Sequence, residues 1–459
     1  MKENHTRQIQ LSIGIITALI ILLQSFRVQA QAVPDSLSLL AKNYFESSMF
    51  SGFVRVEHKG EILLNQSYGL ADYQKLIPFS SESRFRIGSL SKQFTAFIIL
   101  NLYEEGKLKL TDSLTKYFPQ YISAKEVTIH QLLHHTGGIP NFTDFLDYDS
   151  LKGLTHVSDL MVLKRIEKMA LDFKPGTSFN YSNSGYVLLA MIAEQVTGLS
   201  WTQLTRKYIT RPASLHNTGI ESNRIKDGIV SGYDEDLQSL RNVADRITPQ
   251  IAKGAGNAFS SPADLSKWLS YLMDKNSLDE ATKKLLFTTD KQNYAKGWEV
   301  LLSKKHNEQV IYHSGGVDGF RTGIIMVPAY DIKIIVLGNM ESGIIPRKLP
   351  FQLLDIVLGK SVSIPPVRRI ISLESSMLKK YQGEYLLGEK LLVNVKSNAG
   401  YLTIQFPDQP EVRLYSEGND RFFTIAVDAS LLFQGKQVDQ IDSFIFQQGN
   451  MKLEAKKTN

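Results

Sequence analysis

Two regions of the chain have the residue pattern of β-strands, and the first of them alternates between hydrophobic and polar residues. The first, Gly52 to Tyr68, is interrupted by Lys59-Gly60 and predicts two strands joined by a turn. The second predicts strands at Thr322–Pro328 and Ile332–Gly338. Helical spacing prevails between them, so the order strands, helices, strands indicates an α+β domain whose sheet combines both ends of this region.

Two amphipathic runs predict the main helices of that domain. One extends from Ser89 to Glu105 and stops at Gly106, and the other extends from Ser182 to Val196 and stops before Gly198. A glycine just after a helical run is a frequent helix end. Shorter helices are predicted at Trp201–Tyr208, Ser261–Met273, Asp279–Leu286 and Leu349–Leu358.

The hydrophobic pattern changes towards the C-terminal end. Residues 360–373 contain Pro365-Pro366 and predict a linker after a first domain at 31–359. Residues 374–459 contain short alternating runs separated by turn residues. This region is therefore expected to form a small antiparallel β-barrel domain.

The N-terminal end has the pattern of an export signal. Lys2 and Arg7 precede an apolar run from Leu11 to Leu23, and Val28-Gln29-Ala30 has the spacing of a cleavage site. We therefore predict a signal peptide at 1–30, cleaved after Ala30, and a periplasmic or secreted protein. The alternative is an uncleaved membrane anchor, although the run is short for a span of about 20 residues.

The composition excludes several kinds of bond, metal site and catalytic group. The sequence of 459 residues contains no cysteine, which excludes disulfides, thiolate zinc sites, a cysteine nucleophile and a lipid-modified cysteine. Its net charge of +6 is spread along the chain, so we predict a solvated basic surface and no nucleic-acid partner. His130, His134 and His135 lack the glutamate of a zinc-protease helix, and we predict neither a metal nor a cofactor.

Ser89-Leu90-Ser91-Lys92 is the first candidate for catalysis. A serine at the start of a helix lies in the positive field of the helix N-terminus, and Lys92 at i+3 lies on the same face. A desolvated lysine with a lowered pKa can take the proton that makes a serine hydroxyl nucleophilic. In isolation the same spacing fits a helix-capping serine and a solvated lysine, so the context decides.

Two later motifs supply that context. Tyr181 and Asn183 lie where the second helix begins, so that Tyr181 can pass a proton and Asn183 can bind a substrate amide. His313 ends a strand before Gly315 and Gly316, whose backbone can lie close to a substrate. Each motif alone also fits a structural role, as a buried tyrosine with a capping asparagine, or as a histidine that closes a strand before a turn.

The order of the three motifs resembles the serine β-lactamase and penicillin-binding-protein superfamily, and most closely its class C β-lactamase and DD-peptidase branch. The matching residues are Ser89-x-x-Lys92, Tyr181-x-Asn183 and His313-x-Gly315, supported by residues 132–138, 175–176 and 256–265. The resemblance implies a β-lactamase/transpeptidase-like domain, in which an antiparallel sheet packs with helices beside an all-helical part. The C-terminal region resembles the lipocalin-like β domains appended to some members.

The resemblance also implies an acyl-enzyme mechanism. Ser89 would attack a carbonyl while Lys92 and Tyr181 shuttle protons, and the backbone N–H groups of Ser89 and Gly316 would hold the oxyanion. His313 replaces the usual lysine of the third motif. Because a histidine is mostly neutral near pH 7, a weaker grip on a carboxylate is expected, and β-lactam hydrolysis is disfavoured.

The predicted function is that of an exported serine hydrolase that cleaves an amide or ester, with a D-Ala-D-Ala carboxypeptidase-type activity on cell-wall peptidoglycan as the first choice. An esterase, a β-lactamase and a catalytically silent penicillin-binding sensor are the alternatives. The expected partners are peptide, ester or β-lactam small molecules, and no stable membrane span is expected after signal cleavage. Which of Lys92 and Tyr181 is the general base stays open.

Overall fold

The computed structural model describes most of the chain. The described residues are 33–144, 157–221, 228–234, 249–303, 308–388, 390–398, 400–407, 409–435, 440–449 and 451–458. The predicted signal peptide at 1–30 lies outside the described residues. Within the described ranges, no helix is both long enough and apolar enough to cross a membrane.

The N-terminal domain combines short strands with helices of very different lengths. In chain order its strands are β1 (Gly52–His58), β2 (Glu61–Tyr68), β3 (Leu70–Asp72), β4 (Ile77–Pro78), β5 (Phe85–Arg86), β6 (Gly219–Ile220), β7 (Ala258–Ser260), β8 (Glu299–Ser303), β9 (Glu308–Val317), β10 (Phe320–Val327) and β11 (Ile332–Gly338). Its helices are α1 (33–46), α2 (Ser91–Glu104), α3 (Ile129–Leu133), α4 (Asp159–Glu167), α5 (Asn183–Thr197), α6 (Trp201–Thr205), α7 (Pro262–Met273), α8 (Glu280–Phe287) and α9 (Lys348–Val357). Shorter helical turns lie at Gly88–Leu90, Leu114–Lys116, Ile122–Ala124, Phe142–Asp144, Arg206–Thr210, Pro249–Ala252 and Pro328–Tyr330.

An antiparallel sheet forms the centre of this domain. Among the described residues it has six strands in the order β2-β1-β11-β10-β9-β8. The first hairpin pairs directly with β11, so that Gly52 lies opposite Gly338 and His58 lies opposite Ile332. The two ends of the region therefore meet in one sheet, as the alternating pattern predicts, and the α+β fold is confirmed.

Each face of the sheet buries its own hydrophobic core. The central helices cover one face, where Phe94 and Trp268 are buried. Helices α1 and α9 cover the other face, and the residues Tyr415, Phe423 and Ile425 of the C-terminal domain belong to this second core. The two domains are therefore held together by shared apolar burial, which is the main source of stability in protein interiors.

The helix after Gly88 begins later than the sequence predicts. Gly88–Leu90 form a 3₁₀ turn, and α2 begins at Ser91 rather than at Ser89. Gly88 has a positive φ of 53°, and Ser91 Oγ donates a hydrogen bond to Gly88 O at 2.7 Å. These two features tighten the chain before the α-helix starts, and Ser89 lies in the tightened turn.

The C-terminal domain is a closed antiparallel barrel, as predicted. Its elements are α10 (Ser375–Leu378), a 3₁₀ turn (Lys379–Tyr381), β12 (Gly383–Leu387), β13 (Leu391–Asn398), β14 (Tyr401–Gln405), β15 (Val412–Gly418), β16 (Arg421–Thr424), β17 (Ala429–Gln434), β18 (Ser443–Gln448) and β19 (Met451–Lys457). Each strand pairs with the next, and β19 closes the barrel on β12. Aromatic side chains fill the interior, where the rings of Tyr385 and Phe444 are 4.9 Å apart and those of Phe422 and Phe433 are 5.5 Å apart.

The segment that joins the two domains lies against the N-terminal domain. Residues 360–374 contain neither helix nor strand. Asn43 Nδ2 of α1 donates to Pro365 O at 2.9 Å. Hydrophobic side chains of the segment pack against the core of the α1–α9 face: Val362, Ile364 and Ile370. The segment that the sequence predicts as a linker is thus attached to the surface that it crosses.

Candidate active site

Ser89 lies in a turn that contacts the end of strand β9. Two glycines allow this approach, because a Cβ on Gly88 would lie 2.7 Å from Gly316 N, and one on Gly315 would lie 2.1 Å from Ile87 O. A side chain at either position would push the turn and the strand apart. The contact brings Ser89 beside Gly316, the residues whose N–H groups are predicted to hold an oxyanion.

Lys92 is buried beneath Ser89, one turn further along the chain. Its side chain is 0% exposed, and its Nζ lies 3.2 Å from Ser89 Oγ, 2.7 Å from Asn183 Oδ1 and 2.8 Å from Ala255 O. Burial holds the pKa of the Lys92 ammonium well below its ordinary value. The amine therefore lies close enough to Ser89 Oγ to exchange a proton with it, and its lowered pKa favours the neutral form that can accept one.

Tyr181 approaches Ser89 from the loop before α5. Its phenol hydrogen-bonds to Ser89, and its ring lies beneath the Lys92 Nζ at 4.7 Å from the ring centre. Burial raises the pKa of Tyr181 above its ordinary value. The Tyr181 hydroxyl therefore keeps its proton near neutral pH, and burial shifts the pKa of the neighbouring Lys92 amine in the opposite direction.

The side chain of Asn183, the first residue of α5, hydrogen-bonds to Lys92. Its Oδ1 accepts from Lys92 Nζ at 2.7 Å, and its Nδ2 donates to Thr143 Oγ1 at 3.2 Å. Its backbone N–H donates to Asn141 Oδ1 at 3.0 Å. The predicted role of Asn183 in binding a substrate amide stays a prediction, and the geometry adds that this side chain orients Lys92.

His313 is buried and has a partner on each ring nitrogen. Nδ1 lies 2.6 Å from Ser314 O, and Nε2 lies 3.1 Å from Tyr294 Oη. A carbonyl can only accept, so Nδ1 carries the proton and Nε2 accepts from the Tyr294 hydroxyl. Burial, together with the nearby Lys92 amine, lowers the pKa of His313 to about 3. The imidazole is therefore neutral at pH 7 and places no positive charge at this position.

The end of β9 has an edge that faces the serine. β8 pairs with β9 only as far as Tyr312, which lies opposite Glu299. From His313 to Val317 the described residues pair β9 with β10 alone. An extended backbone could therefore add along this edge as a further strand, directly beside Ser89.

Comparison with known proteins identifies the family. The Beta-lactamase family model matches residues 39–352, which is more than half of the 459-residue chain. The chain belongs to the β-lactamase family. The resemblance inferred from the ordered motifs is confirmed, and this family is one of serine hydrolases and penicillin-binding proteins.

Other members of the β-lactamase family are similar over longer or shorter parts of the chain. Penicillin-binding protein 4* of Bacillus subtilis (strain 168) is 27% identical over 446 residues, which cover 92% of this chain and 98% of that protein. The octameric penicillin-binding protein homologue from Pyrococcus abyssi aligns with a TM-score of 0.63 and 23% identity, over 92% of this chain and 99% of its own. The D-amino acid amidase from Ochrobactrum anthropi SV3 aligns with a TM-score of 0.58 and 20% identity, over 70% and 97%. The two structures show a shared fold.

The structure brings every predicted site residue of this β-lactamase-family chain to one place, and it adds others. Ala255 accepts from Lys92 through its backbone carbonyl, and Tyr294 hydrogen-bonds to His313. The stretch 256–265 that supports the family resemblance begins just after Ala255, and nothing in the sequence pointed to Tyr294. A backbone carbonyl carries no residue-type signal, so sequence reasoning had no means of finding Ala255.

The three histidines considered as metal ligands have other partners. His134 Nε2 lies 3.3 Å from Lys296 Nζ, and its Nδ1 lies 2.9 Å from His130 O. His135 Nδ1 accepts from Ser182 N at 3.1 Å. Among the described residues, no group of three or more histidine or acidic side chains is arranged to hold a metal ion.

Proposed function

We propose that this chain is an exported serine hydrolase that forms an acyl-enzyme on Ser89 and cleaves amide bonds in D-alanyl-D-alanine-type peptides of the cell wall. The observation that carries the proposal is the buried Lys92 amine, 3.2 Å from Ser89 Oγ and held there by Asn183 and Ala255. A lysine without a carboxylate partner gains little stability from such burial. Activation of the serine explains why it is there.

The pKa directions divide the proton work between Lys92 and Tyr181. The lowered pKa of Lys92 makes its neutral form available, so Lys92 takes the Ser89 proton as Oγ attacks the carbonyl carbon. The raised pKa of Tyr181 keeps its hydroxyl protonated, so Tyr181 donates to the leaving nitrogen or oxygen and is reprotonated from Lys92. The carbonyl oxygen becomes an oxyanion that the N–H groups of Ser89 and Gly316 stabilise.

The second half of the reaction uses the same groups in reverse. The leaving group departs with its added proton, and the acyl group stays bonded to Ser89 Oγ. A water molecule then gives a proton to the neutral amine of Lys92 and attacks the acyl carbon. Collapse of the second oxyanion returns that proton to Ser89 Oγ and releases a carboxylic acid, so the enzyme ends unchanged.

Two observations support the proposed substrate class. The B. subtilis relative is named for binding penicillin, and the O. anthropi structure is of an amidase for D-amino acids. The open edge of β9 from His313 to Val317 suits an extended peptide. The amide-bond proposal follows from these features together with the export signal predicted at 1–30.

An esterase is the second candidate, and His313 is the reason. A neutral, fully partnered imidazole supplies no cation for the free carboxylate of a terminal D-alanine. Substrates without that carboxylate, such as esters or C-terminally blocked peptides, lose nothing at this position. Comparing rates on a D-Ala-D-Ala peptide, its C-terminal amide and a p-nitrophenyl ester separates the two candidates.

Intact-mass measurement tests the acyl-enzyme directly. The purified protein is exposed to a fluorescent penicillin and to a reactive ester, and the adduct is mapped by peptide mass. We expect one acyl group on Ser89 of the wild type and none on the Ser89→Ala variant. If the wild type forms no adduct and shows no turnover, the proposal is refuted. The mass of the protein recovered from an expression host reports whether the chain is cleaved after Ala30.

A further inference from the structure

One residue, His135, holds Tyr181 from three directions. Its backbone carbonyl accepts from Asn180 N at 3.1 Å, and its ring Nδ1 accepts from Ser182 N at 3.1 Å. These are the residues immediately before and after Tyr181. The His135 ring also lies against the Tyr181 ring, with 4.4 Å between the ring centres. The backbone on both sides of Tyr181 and the face of its ring are thus fixed by one neighbour.

The conformation of His135 serves these contacts at a cost to the local structure. Its φ is 57°, in the left-handed region that side chains rarely adopt. Because Nδ1 accepts from a backbone N–H, the neutral ring carries its proton on Nε2. That Nε2 is buried and has no hydrogen-bond partner among the described residues. A strained backbone and an unsatisfied buried donor are both unfavourable, and such features cluster at functional positions.

The hydrogen bond between His135 and Ser182 also bears on the position of Lys92. Ser182 caps the N-terminus of α5, and the next residue, Asn183, accepts from Lys92 Nζ. A shift of the 180–182 segment would therefore move the Tyr181 hydroxyl and the Asn183 carbonyl together. Burial, with Lys92 and His313 nearby, keeps the pKa of His135 well below its ordinary value, so Nδ1 remains an acceptor.

We propose that His135 is a positioning residue for Tyr181, which it holds at hydrogen-bond distance from Ser89 through the bond from Ser182 N–H to its ring and through ring contact. The inference rests on the proposed function. The side-chain contacts of His135 among the described residues are with Ser182 and with aromatic rings including that of Tyr181, so we assign its effect to Tyr181. Misplacement of a catalytic group by about 1 Å can lower a rate by about a hundredfold.

Two variants separate the ring from the backbone strain. Glycine adopts a positive φ freely, so His135→Gly removes the ring without adding strain. Asparagine also tolerates this conformation, and its Oδ1 can replace Nδ1 as the acceptor for Ser182 N–H, so His135→Asn restores the bond. His134→Ala is the matched control, because His134 is equally buried in the same loop but contacts Lys296.

The first readout is turnover of the reactive ester. We expect His135→Gly to lose about 30- to 100-fold in kcat with little change in KM, and His135→Asn to stay within about fivefold of the wild type. His134→Ala should keep its kcat even if it unfolds more easily. Combined with Tyr181→Phe, the His135→Gly change should cost clearly less than its full loss in the wild type, since most of its effect runs through the Tyr181 hydroxyl and only the remainder through Asn183. Equal kcat for the glycine and asparagine variants, or additive losses, would overturn the inference.

The second readout does not depend on activity. In protein labelled with ¹³C at the tyrosine ζ carbon, the Tyr181 resonance is assigned by its loss in Tyr181→Phe. We expect it to move or broaden in His135→Gly and to stay in place in His135→Asn and His134→Ala. An unmoved resonance in all three variants contradicts the inference. If the wild type forms no Ser89 adduct while the resonance moves, the proposed function is wrong and the positioning of Tyr181 by His135 stands.

Discussion

The interiors of the two domains differ in the kinds of side chain that they bury. The N-terminal domain buries a lysine and two histidines around one serine, and Lys92, His135 and His313 are all at most 3% exposed. The barrel interior contains aliphatic and aromatic side chains, with Tyr381, Tyr385 and Phe433 among its largest members. One interior therefore contains amine and imidazole groups whose proton affinities matter near neutral pH, and the other contains mainly groups that contribute by packing.

This difference separates chemistry from stability. Buried ionisable groups lower the free energy of unfolding unless their partners compensate, so a protein retains them where they act. Aromatic packing contributes stability without reactivity. Substitutions in the first interior should therefore change rates, and substitutions in the second should change the free energy of unfolding.

The largest effect is expected from Lys92→Met. The variant loses the group that is proposed to take the Ser89 proton, so we expect kcat/KM to fall by about a thousandfold or more. Its free energy of unfolding should be unchanged or higher, because a desolvated amine is replaced by an apolar side chain of similar length. Lys296→Met is the matched control, since Lys296 is also buried but contacts Leu285 O and His134. A loss below tenfold with Lys92→Met would mean that another group is the base.

Phe433→Ala tests the other side of the comparison. Phe433 contacts Tyr381, Tyr385, Phe422 and Phe444 in the barrel, so truncation should lower the free energy of unfolding by about 3–5 kcal/mol. Urea unfolding measures that loss, and ester turnover below the transition should match the wild type. If kcat/KM falls with Phe433→Ala while the protein remains folded, the barrel shapes the substrate cleft and the separation fails.

Acid should destabilise the N-terminal domain through His313. The pKa of His313 in the folded protein is about 3, below its ordinary value near 6.5 in an unfolded chain. Between these values the unfolded state binds a proton that the folded state excludes, so stability is complete above pH 6.5 and falls as the pH falls towards 3. Between pH 7 and pH 4 this group should cost the wild type about 3 kcal/mol, a loss that His313→Gln lacks. Equal pH dependence of urea unfolding in the two proteins would show that His313 is protonated without penalty.

The smallest effect is expected where charge joins the two domains. Lys348 at the start of α9 forms an ion pair with Asp428 of the barrel, and both side chains are partly exposed. Asp428→Asn should lower the free energy of unfolding by no more than about 1 kcal/mol, because solvent screens such pairs. A loss of more than about 2 kcal/mol would mean that this contact, as well as the shared core around Phe423, sets the domain arrangement.

Local sequence patterns predicted much of the fold. The strand at Ile332–Gly338 has the predicted bounds, and α5 ends at Thr197, just before Gly198, whose φ of 68° glycine adopts freely. The start of α2 was predicted two residues early, because the 3₁₀ turn at Gly88–Leu90 depends on contact with β9. Alternation predicted an antiparallel barrel, and the structure adds that the pairing of β19 with β12 closes it.

The sequence by itself determined the α+β class and the barrel and predicted the candidate catalytic residues, since these follow from periodicity and from the order of three motifs. Only the tertiary structure decided how strongly those side chains bind a proton. Lys92 has a lowered pKa because segments as distant along the chain as Asn183 and Ala255 bury it, and His313 has a lowered pKa because it is buried near the Lys92 amine. The affinity of a side chain for a proton depends on its burial and on its neighbours, and both arise only when distant segments pack together.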